Sequence, residues 1–283
     1  MAAFMFPSLD PIALQLGPLT VRWYGLAYMV AFLAGWWILK VLDERWGLGL
    51  GPDGQAASVL AAVIGVVAGG RLGYVAFYGA GAYWREPVRI LQMWDGGMSF
   101  HGGLVGILLA GVWVSRRYGV SFLRLCDAGA VAAPIGLLLG RLANFVNQEL
   151  WGRVTTASWG VIFPKAVQLT GDIRPRHPSQ LYEAGLEGLV LFAVMLLLAR
   201  RERSAGELTG WMLALYGVFR IFVEFFREPD IQIGFIAGGI TMGQVLTLPV
   251  LLAGIWLVWR ARRRADVDAG SDPRRESGGS AGS

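Results

Sequence analysis

Long apolar runs separated by short polar stretches dominate this 283-residue chain. Seven windows, at about 19–41, 56–79, 100–116, 124–147, 180–199, 207–226 and 238–260, are apolar enough to predict helices. A helix needs ~20 residues to cross ~30 Å of hydrocarbon, and several of these windows reach that length. The third is short, and Arg71, Arg141, Glu183, Glu187, Arg220 and Glu224 interrupt others. Hydropathy alone leaves six to eight helices open. The pattern predicts an all-α polytopic membrane helical bundle of about seven transmembrane helices. The longest polar interval, from about Gln148 to Ser179, is rich in Gly, Pro and Trp and long enough for a small extracytoplasmic subdomain. Beyond Ala265 the residues are mainly Gly, Ser, Asp and Arg, which predicts a disordered tail.

Composition reinforces the membrane reading. The chain is 55% hydrophobic and 16% charged, with a mean hydropathy of +0.51, too apolar for an ordinary soluble domain. Aromatic residues anchor at membrane interfaces and glycines let helices approach, which suits the 12 Trp and 40 Gly. A single cysteine, Cys126, excludes an internal disulfide and a cysteine metal site; it has no nearby His or Lys in sequence and reads as packing. With only His101 and His177, a histidine metal cluster is not expected either. The net charge of +5 gives no reason to expect nucleic acid, because the basic residues fall mainly between apolar runs. Lys40 and Arg45, then Arg116, Arg117 and Arg124, then Arg200, Arg201 and Arg203, then Arg260 and Arg262–Arg264 all fall on one side of a seven-helix topology. That side should be cytoplasmic, which places the N-terminus outside and the C-terminus inside. Arg153, Lys165, Arg174 and Arg176 are the exceptions, on the outer loop. The N-terminus lacks the basic flank of a signal peptide, so the first apolar run reads as a retained helix. No internal repeat is visible, which counts against inverted-repeat transporters.

Several polar constellations stand inside or beside the apolar runs. In Gly140–Gly152, Arg141, Asn144 and Gln148 follow i, i+3, i+7 spacing and would share one helical face, with Asn147 beside it. Guanidinium grips phosphate bidentately and amides orient ester or hydroxyl oxygens. Glu149 could hold the arginine or receive protons; the bland alternative is a helix end whose polar groups meet water. In Trp94–Gly103, Gly96-Gly97 reads as a turn and Ser99 as an N-cap, which places His101 in a first helical turn. The helix dipole there favours the neutral imidazole that a general base needs. Gly102 and Gly103 would let a ligand approach free backbone amides. In Arg220–Arg227, Arg220, Glu224 and Arg227 share a face, with Glu224 expected to bridge both arginines. Embedded arginines without enough acids to pair them all suggest an anionic ligand. Arg71, near Tyr74 and Tyr78, has no acid beside it and would bind lipid phosphate or pair with a distant carboxylate. Arg22-Trp23-Tyr24-Gly25 suits an interfacial aromatic belt, and His177–Glu183 reads as a structural helix entry with Ser179 as N-cap.

Taken together, these segments resemble the prolipoprotein diacylglyceryl transferase family. Gly140-Arg-Leu-Ala-Asn-Phe-Val-Asn-Gln-Glu-Leu-Trp-Gly152 is similar to that family's signature, and Trp94–Gly103, Arg22–Gly25, Arg176–Glu183 and Phe219–Arg227 match in order, from about Pro7 to Trp259. The resemblance implies an enzyme of the bacterial inner (plasma) membrane. It would move diacylglyceryl from phosphatidylglycerol to the thiol of a lipobox cysteine in a prolipoprotein signal peptide, forming a thioether and releasing glycerol phosphate. It further implies that His101, Arg141, Arg220, Glu224 and Tyr24 are catalytic, His101 being the candidate base. Arg141, Asn144, Asn147, Glu149, Gly152, Arg71 and Arg227 are expected to bind substrate. No cofactor or metal is expected. Residues 1–265 would form the transmembrane catalytic domain, with the loop subdomain at about 148–179, and residues 266–283 a cytoplasmic tail. The competing expectation is a non-enzymatic anion or lipid transporter using the same arginines. The mechanism requires Arg141, Asn144, His101, Arg220 and Glu224 to converge on one site in the outer half of the membrane.

Overall fold

The computed structural model describes residues 4–7, 9–17, 19–78, 81, 83, 86–92, 96–229, 234–237 and 239–270. The helices are α1 (Trp23–Trp46), α2 (Gly51–Tyr78), α3 (Phe100–Tyr118), α4 (Phe122–Val146), α5 (Pro164–Thr170), α6 (Ser179–Leu198), α7 (Glu207–Glu224) and α8 (Met242–Gly270). Short strands are β1 (Phe4–Met5), β2 (Ile12–Leu16), β3 (Leu19–Arg22), β4 (Val161–Ile162), β5 (Phe235–Ala237) and β6 (Ile240–Thr241). Among the described residues five helices, α1, α2, α4, α6 and α8, are long and apolar enough to cross a membrane. The fold is therefore that of a mostly helical, multi-pass membrane protein. Helix α7 is only 18 residues long and carries Glu207, Arg220 and Glu224.

Two of the boundaries that differ from the hydropathy windows have a local physical reason. Residues 19–22, predicted helical, form β3 of a hairpin with β2. Thr20 and Val21 are β-branched and suit a strand. Helix α2 starts at Gly51 rather than 56 because the buried Asp43 carboxylate accepts from the amides of Leu50 and Gly51, each at 3.1 Å, and from Gln55 Nε2 at 2.8 Å. These bonds satisfy amide donors left free at a helix start. At the C-terminus α8 continues to Gly270, so residues 266–270 of the expected tail are helical; the rest of that expectation, 271–283, lies outside the described residues.

The chain divides into two compact units, 32–129 and the combination of 1–31 with 130–283. In the first of these, α2 packs on α3 through glycines. A Cβ added at Gly106 would lie 1.9 Å from the Gly65 carbonyl oxygen, and one at Gly102 would lie 2.2 Å from that of Gly69. Small residues allow this backbone-to-backbone approach. The expectation that Gly102 and Gly103 offer free amides to a ligand is corrected here. The Gly102 amide donates to Ser99 Oγ at 3.2 Å, the Gly103 amide donates to the Ser99 carbonyl at 3.0 Å, and Gly102 lies against α2.

In the other unit, α7 packs on α8 where Gly210 and Ala214 meet Gly254, and α6 packs on α4 where Gly188 faces Leu138. The segment between α4 and α6 is ordered by a small core of Phe6, Val161, Phe163 and Ala166, with Phe145 and Trp151 against it. Parallel pairing of β1 with β4 ties the N-terminus to this core. Arg176, buried, donates to Glu228 Oε2 at 3.1 Å and to the Gly152 carbonyl at 3.4 Å. Outside the helices, His177 is held below the ordinary histidine range by partial burial.

Candidate active site

The end of α4 decides where its polar residues point. The helix stops at Val146, and Gln148 (φ 52°) and Leu150 (φ 56°) adopt left-handed conformations that non-glycine residues seldom take. Three bonds hold this turn: Gln180 Nε2 to the Glu149 carbonyl at 2.6 Å, Ser179 Oγ to the Leu150 carbonyl at 3.0 Å, and the Glu149 amide to the Asn144 carbonyl at 2.9 Å. Gln148 consequently leaves the row predicted with Arg141 and Asn144; its Oε1 accepts from the Lys165 amide at 3.0 Å. Ser179 is the first residue of α6 rather than its cap, and Pro178 takes the cap position.

Arg141 points into a cluster of charges carried by α4, α6 and the end of α7. Its Nε lies 3.1 Å from Glu183 Oε2, and its Nη2 lies 3.7 Å from Glu187 Oε2. Arg220 reaches Glu183 Oε1 at 2.5 Å through Nη1 and Glu224 Oε2 at 2.7 Å through Nη2. Arg227 Nη1 is 3.1 Å from the same Glu183 oxygen. The carboxylate seen between Arg220 and Arg227 is thus Glu183, where the sequence suggested Glu224. Glu183 and Glu187 are fully buried, and Glu224 is nearly so. Among the described residues three guanidiniums face three carboxylates. The expected shortage of acids is therefore corrected: Glu183 and Glu187, read in the sequence only as charges interrupting an apolar window, complete the balance. Their i, i+4 spacing inside a run that must be buried was the available signal. Glu187 lies on a π-helical stretch, Ala184–Val190, of the kind often found at functional sites. Glu224 is also held by Thr241 Oγ1, which donates to its Oε1 at 2.9 Å, and it lies over Gly243, where a Cβ would come within 2.4 Å of Oε1.

A second group is built on Tyr24 at the start of α1. Its hydroxyl donates to Glu149 Oε2 at 2.9 Å and accepts from Asn144 Nδ2. Glu149 Oε1 is 3.6 Å from Lys165 Nζ. Among the described residues Glu149 is thus tied to Tyr24 and Lys165, and Arg141 to Glu183 and Glu187. Lys165 Nζ also donates to the Asn147 carbonyl at 3.3 Å. Gly152 lies where three chain segments meet. Its amide donates to the His177 carbonyl at 2.9 Å, and its strand-like bridge is to Arg227. A Cβ there would lie 2.5 Å from the Phe226 carbonyl oxygen and 2.6 Å from that of His177.

Tyr24, Arg141, Asn144, Asn147, Glu149, Gly152, Arg220, Glu224 and Arg227 all belong to one compact unit; Arg71 and His101 belong to the other. His101 is exposed in the first turn of α3, behind the Ser99 cap. Arg71 is buried and donates to five carbonyls: Ile90 (2.9 Å), Gly96 (2.5 Å), Gly97 (3.0 Å), Arg89 (2.6 Å) and Gln92 (3.0 Å). A guanidinium has five N–H donors, so none is left for a phosphate, and no carboxylate is needed. Trp94 and Asp95, in the same predicted motif, lie outside the described residues. Among the described residues no group of three His, Cys, Asp or Glu is arranged to hold a metal ion.

Five apolar helices of membrane length and a buried arginine–glutamate cluster define a multi-pass membrane protein that carries buried charge, a feature often tied to function in such proteins. The sequence model described as prolipoprotein diacylglyceryl transferase matches residues 11–260. The chain belongs to that family. It is 49% identical over 259 residues to a phosphatidylglycerol--prolipoprotein diacylglyceryl transferase of Geobacter sulfurreducens, covering 92% of this chain and 98% of that protein. It is 50% identical to the protein of the same name from Rhodospirillum centenum, with 92% and 95% covered. The Brucella canis protein of that name is 47% identical, with 95% and 97% covered.

Proposed function

We propose that this chain transfers the diacylglyceryl group of phosphatidylglycerol to the thiol of a lipobox cysteine in a prolipoprotein, the first step of lipoprotein maturation. The observation that carries the site assignment is the buried cluster of Arg141, Arg220 and Arg227 with Glu183, Glu187 and Glu224. In the reaction the thiol gives up its proton, a sulfur–carbon bond forms at the glyceryl carbon, and the carbon–oxygen bond to phosphate breaks. The leaving group is glycerol phosphate, whose growing negative charge needs fixed cations nearby. Arg141 and Arg220 supply guanidiniums already oriented by carboxylates. Asn144, three residues after Arg141 on α4, forms a polar chain with Tyr24 and Glu149 that is suited to orienting hydroxyl or ester oxygens. His101 is the imidazole assigned to the thiol proton. The protein sits in the bacterial inner membrane with seven spans, its N-terminus and the 148–179 segment outside and its C-terminus in the cytoplasm.

The test mixes purified protein with phosphatidylglycerol and a peptide carrying a lipobox cysteine. The expected result is a peptide heavier by one diacylglyceryl group and one free glycerol phosphate. Lipid movement without any thioether would instead identify a transporter. In this assay Arg141→Ala should lose at least about a hundredfold in turnover, the scale of removing one preorganised donor of charge stabilisation; a near-normal rate would make Arg141 structural. His101→Gln should lower the rate by at least about a hundredfold, the scale of a positioned general base. A near-normal rate would assign the proton to another group.

A further inference from the structure

Within the charge cluster one carboxylate is held differently from the others. Glu183 and Glu224 each lie within 3.1 Å of a guanidinium nitrogen and take part in hydrogen bonds. Glu187 is fully buried, yet among the described residues neither of its oxygens has a hydrogen bond. Its nearest cationic atoms are Arg141 Nη2 at 3.7 Å and Arg220 Nη1 at 3.9 Å. The other charged or titratable groups around it are Glu183 on its own helix, Tyr216 on α7 and Arg227 just beyond α7. A buried carboxylate without a hydrogen-bond donor is costly, and the cost falls when the group is neutral or gains a partner.

Among the described residues the cluster sets three guanidiniums against three carboxylates. A phosphodiester entering beside Arg141 and Arg220 adds one negative charge to a region shielded from water. A net buried charge is disfavoured, and like charges close together cannot all stay ionised. The carboxylate with the weakest hold is the one that neutralises at the lowest cost. We propose that Glu187 is a proton-linked member of the anion site: it takes up one proton as the phosphodiester of a phospholipid binds. The neutral carboxyl removes one of the negative charges that compete with phosphate for the Arg141 and Arg220 guanidiniums, and its new O–H supplies a donor where the described residues leave its two oxygens bare. This rests on the reading that these arginines hold the lipid phosphate. It also explains how a site whose arginines are already paired with internal acids accepts an anion at all.

The test is lipid binding without acceptor peptide, so that no turnover occurs. Full-length protein in detergent is titrated with short-chain phosphatidylglycerol by calorimetry, in buffers of different ionisation enthalpy. The wild type should take up about one proton per lipid, and its Kd should weaken about tenfold per pH unit once Glu187 is ionised in the free protein, as linkage requires for one proton. Glu187→Gln should take up none and should bind with a Kd nearly independent of pH. Zero proton uptake by the wild type overturns the proposal even if the variant does not fold, and so does persistent uptake in Glu187→Gln. If Arg141→Ala and Arg220→Ala bind the lipid as tightly as the wild type, the phosphate-site reading itself fails, an outcome distinct from a missing proton.

Discussion

Glu183→Ala is expected to be among the most damaging single substitutions in this chain, costing about 3–5 kcal/mol of stability and nearly all transfer activity. Its two oxygens are fully buried and lie within 3.1 Å of Arg141, Arg220 and Arg227. Removing the carboxylate takes away the partner that Arg141, Arg220 and Arg227 share and makes the cluster more positive by one charge in a region shielded from water. Breaking a buried pair by deleting one partner costs far more than the pair itself contributes, because the remaining charge is uncompensated. The arginines would then swing toward the remaining acids or toward water, and a shift of about 1 Å in positioning groups is enough to lose about a hundredfold in rate. Glu183→Gln keeps the shape and one acceptor oxygen, so it should fold better than the alanine variant while still losing charge balance. Thermal unfolding in detergent, read beside the thioether assay, checks both parts. A Glu183→Ala protein with wild-type stability and rate would mean that the cluster is neither a structural nor a functional unit.

Much of the helical framework was legible because lipid imposes a simple length rule. The windows at 207–226 and 100–116 start at the same residues as α7 and α3, and the others start or end within a few residues of their helices. Several polar residues of the cluster were visible too, since Arg141, Arg220 and Glu224 stand out against apolar neighbours. What the linear pattern did not carry was pairing. Glu183 lies 42 positions after Arg141 and 37 before Arg220, and only the packing of α6 against α4 and α7 joins them. The end of α4 was also hidden. Neither Gln148 nor Leu150 announces a left-handed conformation, which is held by Gln180 and Ser179 some thirty positions later. For Arg71 the missing information was the loop of carbonyls that receives it, since backbone acceptors leave no trace in a sequence.

The second large effect should come from a residue without a side chain. Gly152→Ala places a methyl 2.5 Å from the Phe226 carbonyl oxygen, 2.6 Å from that of His177 and 2.7 Å from His177 Cβ. Two of these three atoms are backbone, so no rotamer change relieves the contact. The surroundings are also tied: the Gly152 amide bonds the His177 carbonyl, the Arg153 amide bonds the Phe226 carbonyl, and Arg153 Nε bonds the Arg227 carbonyl. The strands must therefore separate together, which costs about 1–3 kcal/mol by analogy with overpacking in cores. Arg227 follows Phe226 directly, so the same displacement carries its guanidinium away from Glu183. Transfer activity should drop by at least about a hundredfold, the scale set by misplacing a catalytic constellation by roughly 1 Å, while most of the protein still folds. If Gly152→Ala retains a rate within about twofold of the wild type, a change of less than about 0.4 kcal/mol in the barrier, the strand bridge between Gly152 and Arg227 does not set the position of the cluster.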